Sequence, residues 1–69
     1  MALGTVKWFS AEKGFGFIAP MDGSEDVRVD TTALEHAGLT LLTEGQRVRY
    51  EVVTEGLNRV AERVSLSEL

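Results

Sequence analysis

The stretch from Lys7 to Ile18 holds four of the five aromatic residues in the chain, Trp8, Phe9, Phe15 and Phe17, beside two lysines, Lys7 and Lys13. Flat π-faces interleaved with ammonium groups suit the stacking of nucleic-acid bases, with the charges serving the backbone. Within it, Lys13-Gly14-Phe15-Gly16-Phe17-Ile18 has the ribonucleoprotein-type order of basic residue, Gly, aromatic, Gly, aromatic, aliphatic. The glycines keep the surface low around the two rings, and each ring can stack a base for about 1–3 kcal/mol.

Other chemistries fail on inventory. With no Cys, one His (His36) and no Ser-His-Asp or paired-carboxylate arrangement, the chain offers no catalytic constellation, so the reading is a non-enzyme without a small-molecule substrate. A single histidine and scattered carboxylates do not make a metal site, and no cofactor is expected. His36 reads as a surface residue at the end of a helical turn. The balance of charge opposes the first impression: 11 acidic against 7 basic residues give a net charge of −4 and a pI near 4.8. A basic footprint is absent from the total, so binding must rest on one locally cationic face, with stacking carrying more of the affinity.

These residues need a scaffold that a short chain can build. At 69 residues the reading is one domain over 1–69, and so short a chain buries only about 60% of the surface that its unfolded form exposes. Turn signals recur at Lys13-Gly14, Met21-Asp22-Gly23-Ser24, Glu44-Gly45 and Glu55-Gly56, with runs rich in Val, Phe, Tyr and Thr between them. That spacing predicts an all-β barrel or sandwich. Five strands are expected, roughly over 3 to 10, 15 to 20, 26 to 30, 46 to 54 and 59 to 66.

Alternation assigns faces, because successive side chains of a strand point to opposite sides. Phe15 and Phe17 share one face, and Gly16 and Ile18 take the other. Val27, Val29, Val48, Tyr50 and Val52 point inward, leaving Asp26, Arg28, Asp30, Arg47, Arg49 and Glu51 outside. The first and last strands break step at Val6, Trp8 and Phe9 and at Val60, Ala61 and Val64, which predicts a bulge or strong bend in each. Thr32 and Glu35 form a capping box and Gly38 a stop, predicting one helical turn between the third and fourth strands. Of Leu39, Leu41 and Leu42, Leu42 is the one expected to fold back onto the barrel. No apolar run approaches the length of a membrane span and no signal-peptide layout is present, so a soluble, cytoplasmic, monomeric protein is expected.

The ribonucleoprotein-type run also occurs in four-stranded RNA-recognition domains, but those need two full helices. Gly4-Thr5-Val6-Lys7-Trp8-Phe9 followed by Ser10-Ala11-Glu12-Lys13-Gly14-Phe15-Gly16-Phe17-Ile18 resembles the opening of bacterial cold-shock proteins, and the similarity runs through nearly the whole chain. Asp22-Gly23-Ser24, Asp26-Val27, Val29 and Glu44-Gly45-Gln46 also have equivalents in that family. The resemblance implies a five-stranded antiparallel OB-fold barrel that binds single-stranded RNA or DNA, with an RNA chaperone, transcript-antitermination or cold-shock role. It places Trp8, Phe15 and Phe17 at base-stacking positions, Lys7 and Lys13 at cationic ones and Phe9 at a peripheral ring.

The third strand departs from this pattern. Where the family carries Val-Phe-Val-His-Phe, this chain reads Val27-Arg28-Val29-Asp30-Thr31. Arg28 stands for a ring, Asp30 for the histidine and Thr31 for a second ring. Leu39 takes the place of Tyr or Phe, and Arg59 falls where the last hairpin has Gly-Pro. Arg28 is then either a solvated strand residue or a planar cation serving phosphates or stacking on a base, and Asp30 its salt-bridge partner. The expected site is therefore Lys7, Trp8, Phe9, Lys13, Phe15, Phe17 and Arg28, with low sequence specificity. The alternative is a barrel of this kind with weakened nucleic-acid affinity, repurposed for protein contact.

Overall fold

Val27-Arg28-Val29-Asp30 alternates apolar and charged side chains and forms a strand, β3 (Val27–Asp30), with both valines buried and Arg28 exposed. The same rule organises the other strands of the computed structural model, which describes residues 2–67. These are β1 (Ala2–Ser10), β2 (Phe15–Pro20), β4 (Arg47–Glu55) and β5 (Asn58–Leu66), with a helix α1 (Thr31–His36) between β3 and β4. The one-domain reading over 1–69 includes residues 1, 68 and 69, which lie outside the described residues. No described helix is long and apolar enough to cross a membrane.

The strands close into a barrel in the order β1-β2-β3-β5-β4. Expectation of antiparallel pairing holds for β1 with β2, β2 with β3, β1 with β4 and β4 with β5, whereas β3 and β5 pair parallel at Arg28 and Val60. The exception is forced by counting: directions cannot alternate all the way round a closed ring with an odd number of strands.

Inside lie Val6, Ile18, Val27, Val29, Val48, Tyr50, Ala61 and Val64 from the strands, with Ala33 and Leu34 of α1 and Leu42 of the following loop as a plug. Each fully buried Val, Leu or Ile contributes about 1.5–3 kcal/mol by leaving water. Leu42 folds onto the barrel as expected, and Leu39 packs partly against it.

The two bulges fall where the patterning breaks. In β1, Val6 opposes Ile18 but Trp8 opposes Phe17, so Lys7 is the extra residue. In β5, Arg49 opposes Ser65 while Glu51 opposes Glu62, and the surplus residue region contains Arg63 at φ 53, a left-handed conformation uncommon for a side-chain-bearing residue. That bulge explains the three-residue step between buried Ala61 and Val64.

Two expectations are corrected. Val52 faces the interior side, opposite buried Ala61, yet it is 38% exposed, because it lies at an open end of the barrel in a cavity shared with Ala2, Leu3, Pro20 and Met21. The helix begins one residue before the capping box, with Asp30 as N-cap and no side-chain cap bond, since the chain passes directly from β3 into α1. Its end is as expected: Gly38 at φ 77 allows its N–H to reach Glu35 O at 3.0 Å and Leu39 N–H to reach Leu34 O at 2.7 Å.

Candidate nucleic-acid interface

The β1 bulge makes the site. With Lys7 inserted as the extra residue, both Lys7 and Trp8 are exposed, flanked by buried Val6 and half-buried Phe9. Across the ladder Trp8 meets Phe17, and Ser10 meets Phe15. The three rings converge on the outer face: Trp8 lies 5.5 Å from both Phe15 and Phe17, and Phe15 lies 5.9 Å from Phe17 at 86°. These are edge-to-face and tilted arrangements that stabilise a cluster while leaving ring surface open. Trp8 is 38% exposed and both phenylalanines are half-buried.

Gly16 lies between the two phenylalanines for a steric reason. A Cβ there would strike the Trp8 carbonyl oxygen and come within 2.7 Å of the Phe9 Cα and ring. Phe9 sits across from Gly16, on the face opposite the cluster, and packs partly against the core. The structure thus sets Phe9 apart from Trp8, Phe15 and Phe17: the bulge turns Trp8 outward and the next side chain back.

The turn from β1 to β2 carries Lys13. Gly14 at φ 81 donates to Ser10 O at 2.8 Å, and the Lys13 N–H donates to Ser10 Oγ at 3.1 Å, leaving the Lys13 side chain exposed beside the rings' strands. Thr31 N–H closes the turn onto β3 through Gly14 O at 3.1 Å.

β3 completes the face with charge. Arg28 stands opposite Phe17 and Asp30 opposite Phe15. The Arg28 guanidinium lies diagonally over Phe15, its carbon 4.6 Å from the ring centroid, and its Nε donates to Asp30 Oδ1 at 3.2 Å. Lys7 Nζ reaches Asp26 Oδ2 at 2.8 Å. Two of the site's cations therefore already hold carboxylates, each in an exposed pair of modest strength. Lys7 and Asp26 are joined across β2, which the sequence did not disclose because alternation gives faces but no diagonals.

Beside Phe17 and Arg28 runs a groove of about 250 Å³ walled by Asp26, Leu57, Asn58 and Arg59. Parallel pairing of β5 with β3 brings the β4–β5 hairpin there, and Arg59 Nη1 donates to Glu25 O at 3.3 Å. A hint of these groove residues lay in Arg59, which replaces a turn dipeptide.

In the neighbouring cavity, which Arg59 also lines, Asp22 accepts from the side chain and backbone of Ser24, which hold its carboxyl below the ordinary range. The Tyr50 hydroxyl is buried with no hydrogen-bond partner among the described residues, and burial, with the Asp22 charge, pushes the phenol upward.

Comparison with known proteins agrees with this arrangement. Residues 2–67 match the family described as the 'Cold-shock' DNA-binding domain. The chain belongs to the cold-shock domain family. It is 60% identical over 55 residues to a probable cold shock protein of Sinorhizobium fredii, covering 80% of each chain. A cold shock protein of Rhizobium meliloti is 54% identical over 55 residues, again 80% of each chain. A cold shock-like protein of Escherichia coli is 55% identical over 49 residues, 71% of each. Membership makes nucleic-acid binding the general activity of this cold-shock domain and the OB-fold its architecture.

Proposed function

We propose that this cold-shock domain binds single-stranded RNA or DNA by stacking bases on Trp8, Phe15 and Phe17, with Lys7, Lys13 and Arg28 supplying positive charge. The observation that carries the reading is the ring cluster, gathered within 5.5–5.9 Å on the outer face rather than in the core. Stacking tolerates any base, so the three rings together give little sequence preference. Melting or guarding short unpaired stretches of transcript fits such a surface, which supports an RNA chaperone or antitermination role for a cytoplasmic monomer.

Salt dependence should be shallow. Each phosphate contact contributes a log-log slope of about −0.7 on single strands, and Lys7 and Arg28 must first exchange a carboxylate for a phosphate. Trp8 is a built-in reporter: titration with oligo-dT and oligo-U at low and moderate salt should quench its fluorescence. Absence of quenching up to high micromolar oligonucleotide overturns the reading and favours the alternative of a barrel face used for protein contact, which the carboxylates beside the rings would suit.

A further inference from the structure

Arg28 is held on two sides. Its Nε is bound to Asp30 and its guanidinium carbon rests over Phe15, while its two terminal amino groups make no hydrogen bond among the described residues. Those groups are a planar pair of donors on a residue that directly opposes Phe17 in the ladder and shares with it the wall of the adjoining groove. A guanidinium so positioned loses less freedom on forming two parallel hydrogen bonds than a free surface arginine does.

From this we propose that Arg28 reads the edge of a base stacked on Phe17 and makes that one position selective for guanine. The inference rests on the base-stacking function and moves Arg28 from phosphate contact to base contact. Two parallel donors require two adjacent acceptors on one edge. Guanine has them at O6 and N7, the commonest partner of arginine, and in a single strand that edge is open. Cytosine has such a pair at N3 and O2. Thymine and uracil interpose an N–H between their carbonyls, and adenine places its amino donor beside N7. Guanine wins over cytosine because a purine covers more of the Phe17 ring. Asp30 is a positioning residue here: it aims the fork.

The test uses thymidine oligomers with one central dG, dC, dA or dT, titrated against the full chain with Trp8 fluorescence as readout. The dG oligomer should bind at least about fivefold more tightly than the dA and dT oligomers, with dC second. Arg28→Lys keeps the charge but removes the fork, and it should bring the dG oligomer down to the level of the other three. Asp30→Asn should reduce the dG preference without abolishing it. Equal affinities in the unsubstituted protein overturn the inference and leave base stacking intact. So does a dG preference that survives Arg28→Lys. If Arg28→Gln, which removes the charge, instead weakens all four oligomers alike and flattens the salt slope, Arg28 is a phosphate contact and the inference falls. No quenching by any oligomer removes the stacking function and this inference with it.

Discussion

Arg28 covers Phe15, its guanidinium carbon 4.6 Å from the ring centroid, while Asp30 ties its Nε at 3.2 Å. The free protein thus occupies part of its own stacking surface with a cation that a planar ligand must move or stack upon. The cost is limited, because an exposed cation–π contact is worth about 0.5–1 kcal/mol and the exposed ion pair adds about 0–1 kcal/mol. Since a stacked base returns about 1–3 kcal/mol, ligand binding prevails, with reduced affinity at that ring.

Freeing a cation should tighten binding. Asp26→Asn releases Lys7 from its 2.8 Å partner and removes a negative charge from the face. Oligo-dT affinity at low salt should rise by about two- to fivefold, and the log-log salt slope should steepen by up to about 0.7 as one more phosphate is engaged. An unchanged slope would show that Lys7 does not meet a phosphate.

Removing a ring should cost affinity more than stability. Trp8→Phe retains the stack and serves as control, and Phe17→Ala should weaken oligo-dT binding by about 1–3 kcal/mol, or roughly five- to 150-fold. Because the ring lies on the outer face, thermal unfolding should shift far less than for loss of a core residue of similar size. A collapse of the fold would show Phe17 to be a core residue.

Gly16→Ala should behave in the opposite way. Its Cβ meets backbone, the Trp8 carbonyl and the Phe9 Cα, so no side-chain rotation relieves the clash. A destabilisation of about 3 kcal/mol is expected from urea unfolding. Stability within 1 kcal/mol of the unsubstituted protein, roughly the lower end for overpacking, would mean that β1 and β2 can separate locally at no great cost.

Tyr50→Phe should stabilise the barrel by about 1 kcal/mol, since it removes a buried hydroxyl that has no partner among the described residues. It should also alter the alkaline limb. Burial raises the folded phenol above its ordinary 10.0. Below that value the group is protonated in both states; above it the unfolded chain releases the proton first, so stability declines as pH climbs toward the folded value. Denaturant midpoints between pH 9 and 11, about one unit either side of the ordinary phenol value, should fall less for Tyr50→Phe than for the unsubstituted protein.

Much of this was legible in the sequence because the governing interactions are local. Phe15, Gly16, Phe17 and Ile18 sort to their faces by alternation, and the out-of-step residues of β1 and β5 mark both bulges. Gly38 and Leu42 behave as their types imply. What escaped depends on distant geometry. Val52 has the right face but sits where the barrel is open, and Phe9 differs from Trp8 only through a bulge whose exact residue needs the ladder of β2. Lys7 with Asp26, and Arg59 beside Phe17, are brought together by barrel closure, which no strand pattern records. The parallel pairing, by contrast, follows from the strand count alone.

That parallel pairing of β3 with β5, recorded at a single residue couple, is the short seam of a cylinder otherwise stitched by longer ladders. Arg28 sits on one lip of the seam and Arg59 on the other, and the groove along Phe17 runs over it. A strand of nucleic acid lying in that groove would act as a clasp, so occupancy should slow amide hydrogen exchange at the seam more than on the far wall. The place where this barrel is easiest to part is also where its ligand would hold it shut.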